Sequence, residues 1–210
     1  MKIDQGMIDV GPVDFLRSHH TGSFEGLPVA NIGDAMNRMG MCDSGVHAMW
    51  SGAACVGSAF PVTVRSGDNA GLHVALEHVR PGDVLVVNGG GDLSRALLGD
   101  LLATKLRTLG VVGAVIDGCI RDRSTLEQMR FPVWARGANP SGPYKNGPAR
   151  LAREAAVGGV VVRPGDIIAA DDDGVAVIPA GSAADIYRLT LEVMAHEAEL
   201  SREFSRPIRS

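Results

Sequence analysis

Two copies of one turn constrain most strongly what this 210-residue chain can fold into. The tripeptide Pro-Gly-Asp occurs at residues 81–83 and again at 164–166, and each copy precedes a run of small, mostly branched apolar residues. Pro and Gly mark a turn, and such a run is typical of a buried strand. After the second copy, two apolar runs flank Asp173 and Gly174, a pair that predicts a β-hairpin.

Helical patterns alternate with these strands. The predicted strands cover residues 53–64, 84–87, 111–116, 131–135 and the two runs of the hairpin, 167–170 and 175–178. The predicted helices cover residues 32–39 with Asn31 as N-cap, a stretch opened by Asp68 or Asn69, residues 99–110, residues 122–129 and residues 183–204. This alternation predicts a single α/β domain over residues 1–210 with a mixed sheet. About the first 20 residues and the C-terminal helix are expected to be peripheral or interface elements.

Composition excludes several classes of protein. A net charge of -4 and 4% aromatic residues disfavour direct binding to nucleic acid, which usually needs a basic excess or stacking platforms. The three cysteines form no CxxC pair, so neither a disulfide framework nor a structural zinc site is predicted. No run is long enough for a signal peptide or a membrane span, so we expect a cytoplasmic protein without a membrane partner.

Two glycine-rich segments need a separate interpretation. Residues 88–92, Asn-Gly-Gly-Gly-Asp, match neither a P-loop nor a dinucleotide fingerprint, so we predict a flexible turn that leaves the strand. Residues 137–148 form the longest irregular segment, for which a mobile flap and an interface loop are both open.

Gly99 is the centre of the candidate site. A glycine inside a helix costs about 1 kcal/mol relative to alanine, so Gly99 is better placed as the residue that begins a helix. The amides of Asp100, Leu101 and Leu102 then lie in the first turn, where amides and the helix dipole favour a carboxylate or phosphate. Asp100 has two open roles: it complements the helix N-terminus, or it orients a water and passes a proton.

Arg121 and Asp122 form the second half of the candidate site. Adjacent residues on a helix do not face each other, so a simple intrahelical salt bridge explains the pair poorly, and Asp122 as a helix N-cap is an alternative. In a functional role, the arginine fork binds a carboxylate and the aspartate offers hard oxygens to a magnesium-like ion. Opposite the first turn after Gly99, the pair predicts a site for a 2-oxoacid such as pyruvate.

Histidine and lysine chemistry is less favoured. The six histidines form no HxH or HExxH arrangement, and His73 and His78 are predicted to be ordinary surface or packing residues. Lys105 lies one helical turn beyond Leu101 and is expected to approach the site. A Schiff base on Lys105 is the alternative to a metal-dependent mechanism.

At these residues the chain resembles the family that includes the 4-hydroxy-4-methyl-2-oxoglutarate/4-carboxy-4-hydroxy-2-oxoadipate aldolases and the regulator of ribonuclease E activity A. The matching segments are ALLGDLLA at 96–103, VIDGCIRD at 115–122, PVWARG at 132–137, GGVVVRPGD at 158–166 and DDDGVAVIP at 171–179. The resemblance covers residues 29–179.

The resemblance implies a layered αββα sandwich with mixed sheets, which assembles as a homotrimer or as a hexamer of two stacked trimers with active sites between subunits. It also implies a role for each site residue. The substrate loop falls on Gly99, Asp100, Leu101 and Leu102, the substrate arginine on Arg121, and the metal aspartate on Asp122. A neighbouring subunit is expected to contribute an acidic residue, with these candidates: Glu25, Glu192, Glu197, Glu199 and Glu203. For the four on the C-terminal helix, a solvated helix face is the alternative.

The expected function is therefore that of a divalent-metal-dependent aldolase. It would cleave 4-hydroxy-2-oxoacids such as 4-hydroxy-4-methyl-2-oxoglutarate to pyruvate and a second oxoacid, with Arg121 and Asp100 as catalytic residues. Mg²⁺ is the expected ion, Mn²⁺ is the alternative, and oxaloacetate decarboxylation is a further implied activity. The alternative function is that of a noncatalytic regulator that acts by protein contact, such as a ribonuclease E inhibitor. The regulator branch need not retain the metal aspartate, so the presence of Asp122 favours the enzyme.

Overall fold

The computed structural model describes residues 5–205, which form a nine-stranded sheet, a separate two-stranded sheet made of Ala155–Val157 and Val160–Val162, and flanking helices. The strands are β1 (Ile8–Val10), β2 (His47–Ala48), β3 (Cys55–Val64), β4 (Asp83–Leu98), β5 (Gly113–Ile120), β6 (Val133–Ala138), β7 (Ala149–Leu151), β8 (Ala155–Val157), β9 (Val160–Val162), β10 (Ile167–Asp171) and β11 (Gly174–Ile178). The helices are α1 (Val29–Ala35), α2 (Ala70–Ala75), α3 (Asp100–Thr108), α4 (Arg123–Gln128) and α5 (Ala183–Phe204). Short 3-10 helices cover Gln5–Met7, Thr21–Phe24 and Ala180–Ser182.

The central strands are parallel and the outer ones are mixed. Strands β3, β4, β5 and β6 lie side by side in that order and all run in the same direction. On one side, β7 and β10 pair antiparallel with β3, and β1 pairs parallel with β7. On the other side, β2 pairs antiparallel with β6. The predicted mixed sheet and the predicted hairpin, β10–β11, are both confirmed.

The alternation of side chains along each strand produces the layers. On β4, Leu85 and Val87 pack with helices α2, α3 and α4, whereas Val84 and Val86 pack on the opposite face with β10 and β11. The hairpin repeats this division, because Ile168 faces the central strands and Ile167 faces α1 and α5. The order of layers is therefore helices, sheet, hairpin and helices, which agrees with the predicted αββα arrangement.

The first helix differs from its prediction. Helix α1 begins at Val29, with Pro28 rather than Asn31 at the N-cap position, and it ends at Ala35. The Val29 amide donates to Asp171 Oδ2 at 2.9 Å, so a carboxylate from the hairpin satisfies the helix start. Asn31 lies inside the helix, where its side chain donates to Glu197 Oε2 on α5. Both contacts are tertiary, which is why local capping rules did not find them.

The glycine-rich segment at 88–92 also differs from its prediction. It does not leave the strand but forms an irregular, bulged part of β4, whose pairing with β5 resumes at Asp92 opposite Gly118. Gly90 and Gly91 adopt positive φ angles of 70° and 69°, which glycine tolerates without steric cost. After this bulge, β4 continues to Leu98, where the carboxyl ends of the central strands lie.

Two remaining expectations concern membranes and the chain ends. Within residues 5–205, no helix combines the length and the apolar character that crossing a bilayer requires. The prediction of peripheral end segments falls partly on residues 1–4 and 206–210, which lie outside the described residues. Helix α5 has the predicted extent and buries Ile186 against the hairpin side of the molecule.

Candidate active site

The candidate site lies where three parallel strands end. Leu98 of β4 is in register with Ile120 of β5, and Ile120 is in register with Ala138 of β6. The backbone amide of Arg121 donates to the Leu98 carbonyl at 2.9 Å, which extends the pairing by one residue and places Arg121 beside Gly99. Ligands in open α/β sheets bind outside the carboxyl ends of the strands, so the topology itself marks this edge.

Gly99 begins α3, as the sequence predicts. It is the N-cap residue, with an extended backbone (φ -143°), and Gly110 ends the helical segment with φ +82°. A Cβ at residue 99 would lie 2.6 Å from Asp122 Oδ2 and 3.0 Å from Arg121 Nε. Glycine is required here for space rather than for its φ angle, because it lets both charged side chains approach the start of α3.

Asp122 adopts a left-handed conformation, with φ 62° and ψ 34°. It occupies the N-cap position of α4, as the N-cap alternative predicts, but its side chain makes no capping hydrogen bond. Its Oδ2 atom instead accepts from the Asp100 amide at 3.1 Å and lies 3.4 Å from Arg121 Nε. Arg121 and Asp122 therefore do face each other, contrary to the prediction, because Arg121 precedes the helix and the left-handed backbone at Asp122 directs its carboxylate back toward Arg121.

The first amides of α3 already contact carboxylate oxygens. The Asp100 amide binds Asp122 Oδ2, and the Leu101 amide binds Asp100 Oδ1 at 2.7 Å. This arrangement fits the role of Asp100 as a complement to the helix N-terminus. These amides therefore donate to anionic oxygens already, and a ligand carboxylate that reaches them must displace the side-chain oxygens.

A cavity of about 360 Å³ opens beside Gly99 and Arg121. Leu101 and Leu102 line it, as does Lys105, which was expected to approach the site. The segment at 137–148 forms part of the wall through Pro143 and Lys145. That segment is tied down by backbone bonds from Ala96 to the Ser141 carbonyl at 2.9 Å and from Tyr144 to the Gly67 carbonyl at 2.8 Å.

Sequence reasoning missed three residues of this wall, namely Asn69, His73 and Lys145. Asn69 and His73 are four residues apart at the start of α2, a spacing that places them on one helix face and could have indicated the pair. His73, predicted to be a surface or packing residue, is half-buried in this wall. Burial, followed by the charges of Lys145 and Lys105, lowers the pKa of His73 below its ordinary value of 6.5.

Asn69 presents an acceptor at the same wall. Its Nδ2 donates to the Leu97 carbonyl at 3.0 Å, which fixes the orientation of the amide. Its Oδ1 is buried and has no hydrogen-bond partner among the described residues. Such an acceptor suits a hydroxyl donor and not a carboxylate.

The donor set consists of carboxylate oxygens, which suit a hard ion such as Mg²⁺ or Mn²⁺ rather than a soft one. Residues 5–205 contain no group of three or more His, Cys, Asp or Glu side chains that could hold a metal. Mg²⁺ is commonly bound by one or two carboxylates together with waters and substrate oxygens. Asp122, with 34% of its side chain exposed, can serve as such a ligand, and Asp100 is adjacent to it through the bond from its amide to Asp122 Oδ2.

Two of the acidic candidates on α5 have partners within their own chain. Glu197 accepts from Asn31, and Glu192 pairs with Arg188 at 2.7 Å. Glu199 and Glu203 are exposed, and Glu25 is exposed in the segment that precedes α1.

A second arginine–aspartate cluster lies on β5 and β6. Arg136 of β6 donates through Nε to Asp117 of β5, and its two terminal nitrogens donate to both oxygens of Asp43 at 3.0 and 2.9 Å. Asp117 also accepts from the Gly158 amide at 3.0 Å. The hydrogen bonds to Asp117 and Asp43 raise the pKa of Arg136, and the bond to Arg136 lowers that of Asp43.

Comparison with known proteins gives matches over most of the chain. The sequence matches the RraA-like family, described as Aldolase/RraA, over residues 29–177. A relative from Halalkalibacterium halodurans, named "Putative 4-hydroxy-4-methyl-2-oxoglutarate aldolase", is 33% identical over 193 residues, 92% of this chain and 90% of the relative.

Two solved structures are similar as well. RraAS2 from Streptomyces coelicolor, described as an unusual member of the RNase ES inhibitor RraA protein family, has a TM-score of 0.73 at 30% identity, over 89% of this chain and 96% of that chain. The RNA-processing inhibitor RraA from Thermus thermophilis has a TM-score of 0.66 at 30% identity, over 72% of this chain and 92% of that chain.

Proposed function

The chain belongs to the RraA-like family, Aldolase/RraA, and on that premise we propose that it is a divalent-metal-dependent aldolase that cleaves 4-hydroxy-2-oxoacids. The observation that carries the proposal is the meeting of Arg121, Asp122 and the first amides of α3 at one cavity edge. The name of the Halalkalibacterium halodurans relative supports 4-hydroxy-4-methyl-2-oxoglutarate as the substrate.

The site residues divide the binding of the oxoacid between them. Arg121 offers its planar fork to the carboxylate next to the 2-oxo group, and the amides of Leu101 and Leu102 bind the same carboxylate at the helix N-terminus. Gly99 leaves the space that this approach needs. Asp122, with waters, would hold Mg²⁺ or Mn²⁺, which supplies Lewis acidity to the 2-oxo oxygen when bound.

The reaction is a retro-aldol cleavage. The bond between C3 and C4 breaks, its electron pair stays on C3, and the 4-hydroxyl loses its proton as C4 becomes a carbonyl carbon. C3 then takes up a proton, so 4-hydroxy-4-methyl-2-oxoglutarate yields two molecules of pyruvate. Arg121 stabilises the negative charge that develops on the pyruvate portion, and Asp100 holds a water that moves the proton.

Replacement of Asp122 tests the assignment. Asp122→Asn keeps the size of the side chain but removes its charge, so metal-dependent release of pyruvate from 4-hydroxy-4-methyl-2-oxoglutarate should be abolished. Asp185→Asn, an exposed carboxylate on α5 far along the chain from the site, is the matched control and should retain full turnover. Unchanged turnover in Asp122→Asn would exclude the assignment.

Oxaloacetate decarboxylation is the nearest further activity. Loss of carbon dioxide also leaves an electron pair on C3 of a pyruvate unit, so the same groups serve both reactions. The ratio of kcat/KM for oxaloacetate to that for 4-hydroxy-4-methyl-2-oxoglutarate identifies the main activity.

A noncatalytic regulator is the second candidate, because a similar structure is described as an RNA-processing inhibitor. This function predicts no turnover with any 4-hydroxy-2-oxoacid and a measurable complex with ribonuclease E. The same pyruvate assay, run beside a binding measurement with ribonuclease E, separates the two functions.

We also propose a homotrimer or a hexamer of two trimers. Large apolar side chains are exposed near the mouth of the cavity, among them Leu101 at 74% and Tyr144 at 51%, and burial at a subunit contact would remove them from water. Light scattering coupled to size-exclusion chromatography should give a mass near three or six chains, and a monomer would contradict the proposal.

A further inference from the structure

We propose that Asp68, which does not line the cavity, is a positioning residue: it ties the segment at 137–148 to the start of α2 and so holds two walls of the cavity together. This inference rests on the proposed function for the reaction that the walls serve. It adds a residue that acts only through its neighbours, Asn69 on one wall and Lys145 on the other.

The Asp68 carboxylate is buried, and its two oxygens are divided between two elements. Only 1% of the residue is exposed. Its Oδ1 accepts from the Ala70 amide at the start of α2, at 2.9 Å. Its Oδ2 accepts from the Asn146 amide and from Arg65 Nη2, each at 3.0 Å. One carboxylate therefore joins α2 to the segment at 137–148.

The backbone supports the same join on both sides of Asp68. The Tyr144 amide donates to the Gly67 carbonyl at 2.8 Å, and the Asn69 amide donates to the Tyr144 carbonyl at 2.9 Å. Gly147 packs against the carboxylate so closely that an added Cβ would lie 2.8 Å from Asp68 Cγ. The approach leaves no room for a side chain at residue 147, so the join is tight.

Arg95 of β4 contacts the same segment from the side of the sheet. Its Nη1 donates to the Gly142 carbonyl at 2.7 Å and its Nη2 donates to the Tyr144 hydroxyl at 3.0 Å. Tyr144 is 51% exposed, and polar contacts at exposed groups contribute little. The hydrogen bonds to the buried Asp68 carboxylate are charge-assisted, so Asp68 is the stronger of the two tethers.

The tether acts one residue away from each wall. Asn69 directly follows Asp68, and Lys145 directly precedes Asn146, so a shift of the segment against α2 changes the distance between the two walls. His73 of α2 reports that distance, because the charge of Lys145 is, after burial, a cause of its lowered pKa. The pKa of His73 is therefore a measure of the tether that does not depend on turnover.

Asp68→Asn tests the tether directly. The variant keeps the size of the side chain, but a single amide oxygen cannot serve donors on both sides, so the bonds to Ala70 and to Asn146 cannot both persist. When the segment moves away, the pKa of His73 should rise toward its value in Lys145→Met. Loss of the Asp68 charge alone would lower that pKa, so a rise identifies movement.

NMR titration measures the effect, with the ring signals of His73 assigned through His73→Gln. In a Lys145→Met background, Asp68→Asn should produce no rise, because the charge that moves has been removed. A rise of the same size in both backgrounds would overturn the inference.

Gly147→Ala displaces the segment without removing a charge. Gly147 does not have a positive φ angle, so its backbone accepts alanine, and the contact with the Asp68 carboxylate is what forces the movement. This variant should also raise the pKa of His73. It keeps the inference testable if Asp68→Asn does not fold.

Turnover gives the second measurement. The walls lie away from Arg121 and Asp122, so both variants should raise KM for 4-hydroxy-4-methyl-2-oxoglutarate by roughly tenfold, the effect of about one hydrogen bond, with kcat changed by less than about threefold. A fall in kcat with KM unchanged would contradict a positioning role at the walls.

Asp166→Asn is the matched control. Asp166 is also a buried carboxylate that accepts from two backbone amides, those of Arg163 at 2.8 Å and Ala180 at 3.1 Å, and it does not line the cavity. This variant should keep the KM and the pKa of His73 of the wild type. A control that matches Asp68→Asn in both measurements would indicate a general loosening of the fold and overturn the inference.

The outcomes separate this inference from the proposed function. If pyruvate release depends on Asp122 but both tether variants keep the KM and the pKa of His73 of the wild type, the inference fails and the proposed function stands. If the pKa rises in both variants but the wild type releases no pyruvate, the proposed function fails and Asp68 still holds the walls. A raised pKa with an unchanged KM would overturn the role of the tether in the reaction.

Discussion

Two arginine–aspartate clusters, one within β5 and β6 and one just beyond the ends of β4 and β5, differ in how completely their members are paired. The closed cluster contains Arg136, Asp117 and Asp43, and the guanidinium donates to both carboxylates. The open cluster contains Arg121, Asp122 and Asp100, where the arginine lies 3.4 Å from one carboxylate oxygen. The arginine side chain is 24% exposed in the closed cluster and 40% exposed in the open one.

The difference shows what separates a structural ion pair from a binding site made of the same residue types. In the closed cluster, bidentate geometry and the Gly158 amide satisfy the charges, and they tie β5, β6 and the segment after α1 together. In the open cluster, the longer contact and the higher exposure mean that a ligand can replace the Arg121–Asp122 contact at a small cost in free energy. We therefore expect mutations in the closed cluster to change stability and those in the open cluster to change activity.

Arg136→Met should give the largest effect on stability. It leaves Asp117, which is 8% exposed, without its cation, and breaking such a pair costs about 3 kcal/mol. Arg121→Met, the matched substitution in the open cluster, should change the free energy of unfolding by less than about 1 kcal/mol. Urea denaturation followed by circular dichroism measures both, and equal losses would remove the distinction between the clusters.

Gly99→Ala should reduce activity strongly with a small effect on the fold. The new Cβ would lie 2.6 Å from Asp122 Oδ2, so the carboxylate and the neighbouring guanidinium must move, whereas the extended backbone at Gly99 accepts alanine. A displacement of about 1 Å can reduce turnover by about 100-fold. Pyruvate release gives the activity, and Gly22→Ala, where a Cβ meets no atom within 4 Å, serves as the control.

Asp122→Gly should separate stability from function within a single residue. The left-handed φ of 62° suits glycine, and relief of that strain offsets the lost bond to the Asp100 amide, so stability should stay within about 1 kcal/mol of wild type. Metal-dependent turnover should nevertheless disappear. A variant that unfolds far more easily would instead indicate that Asp122 holds the fold together.

His73 should contribute the smallest effect, a dependence of stability on pH. Because its pKa in the folded protein is below 6.5, the unfolded chain binds more protons around and below that pH, and the free energy of unfolding falls as the solution is acidified. His73→Gln should reduce this loss, measured by urea denaturation at pH 5.5 and 7.5.

Lys105→Met provides the internal comparison for that measurement. It should reduce the pH dependence only in part, because burial is the larger cause of the shift and the charges of Lys145 and Lys105 come second. A pH dependence in His73→Gln equal to that of wild type would contradict the assignment.

Local sequence rules predicted the elements whose ends are set by local chemistry. Gly99 and Gly110 bound α3, and Gly174 begins β11 directly after the hairpin turn at Asp172 and Asp173, one residue from the predicted turn pair; glycine at these points provides space or an unusual φ angle that its neighbours require. The two Pro-Gly-Asp turns behave alike for the same reason. Asp83 accepts from the Arg80 amide and Asp166 from the Arg163 amide, each at 2.8 Å.

Tertiary contacts decided the features that local rules missed. The start of α1 depends on Asp171 of the hairpin, and the segment at 88–92 stays in β4 because β5 pairs with the strand on both sides of it. Neither partner is near in sequence, so no local pattern carries the information.

For the site, the sequence by itself supplied Gly99, Asp100, Arg121 and Asp122 as residues whose types suit an oxoacid and a metal. The tertiary structure decided that Gly99 admits both charged side chains, that Asp122 turns back toward α3, and that Asn69, His73 and Lys145 share the cavity. The physical reason is that the type of a side chain determines which group it can bind. Its direction and its neighbours depend on strand register and on backbone angles, which are fixed only when distant segments pack.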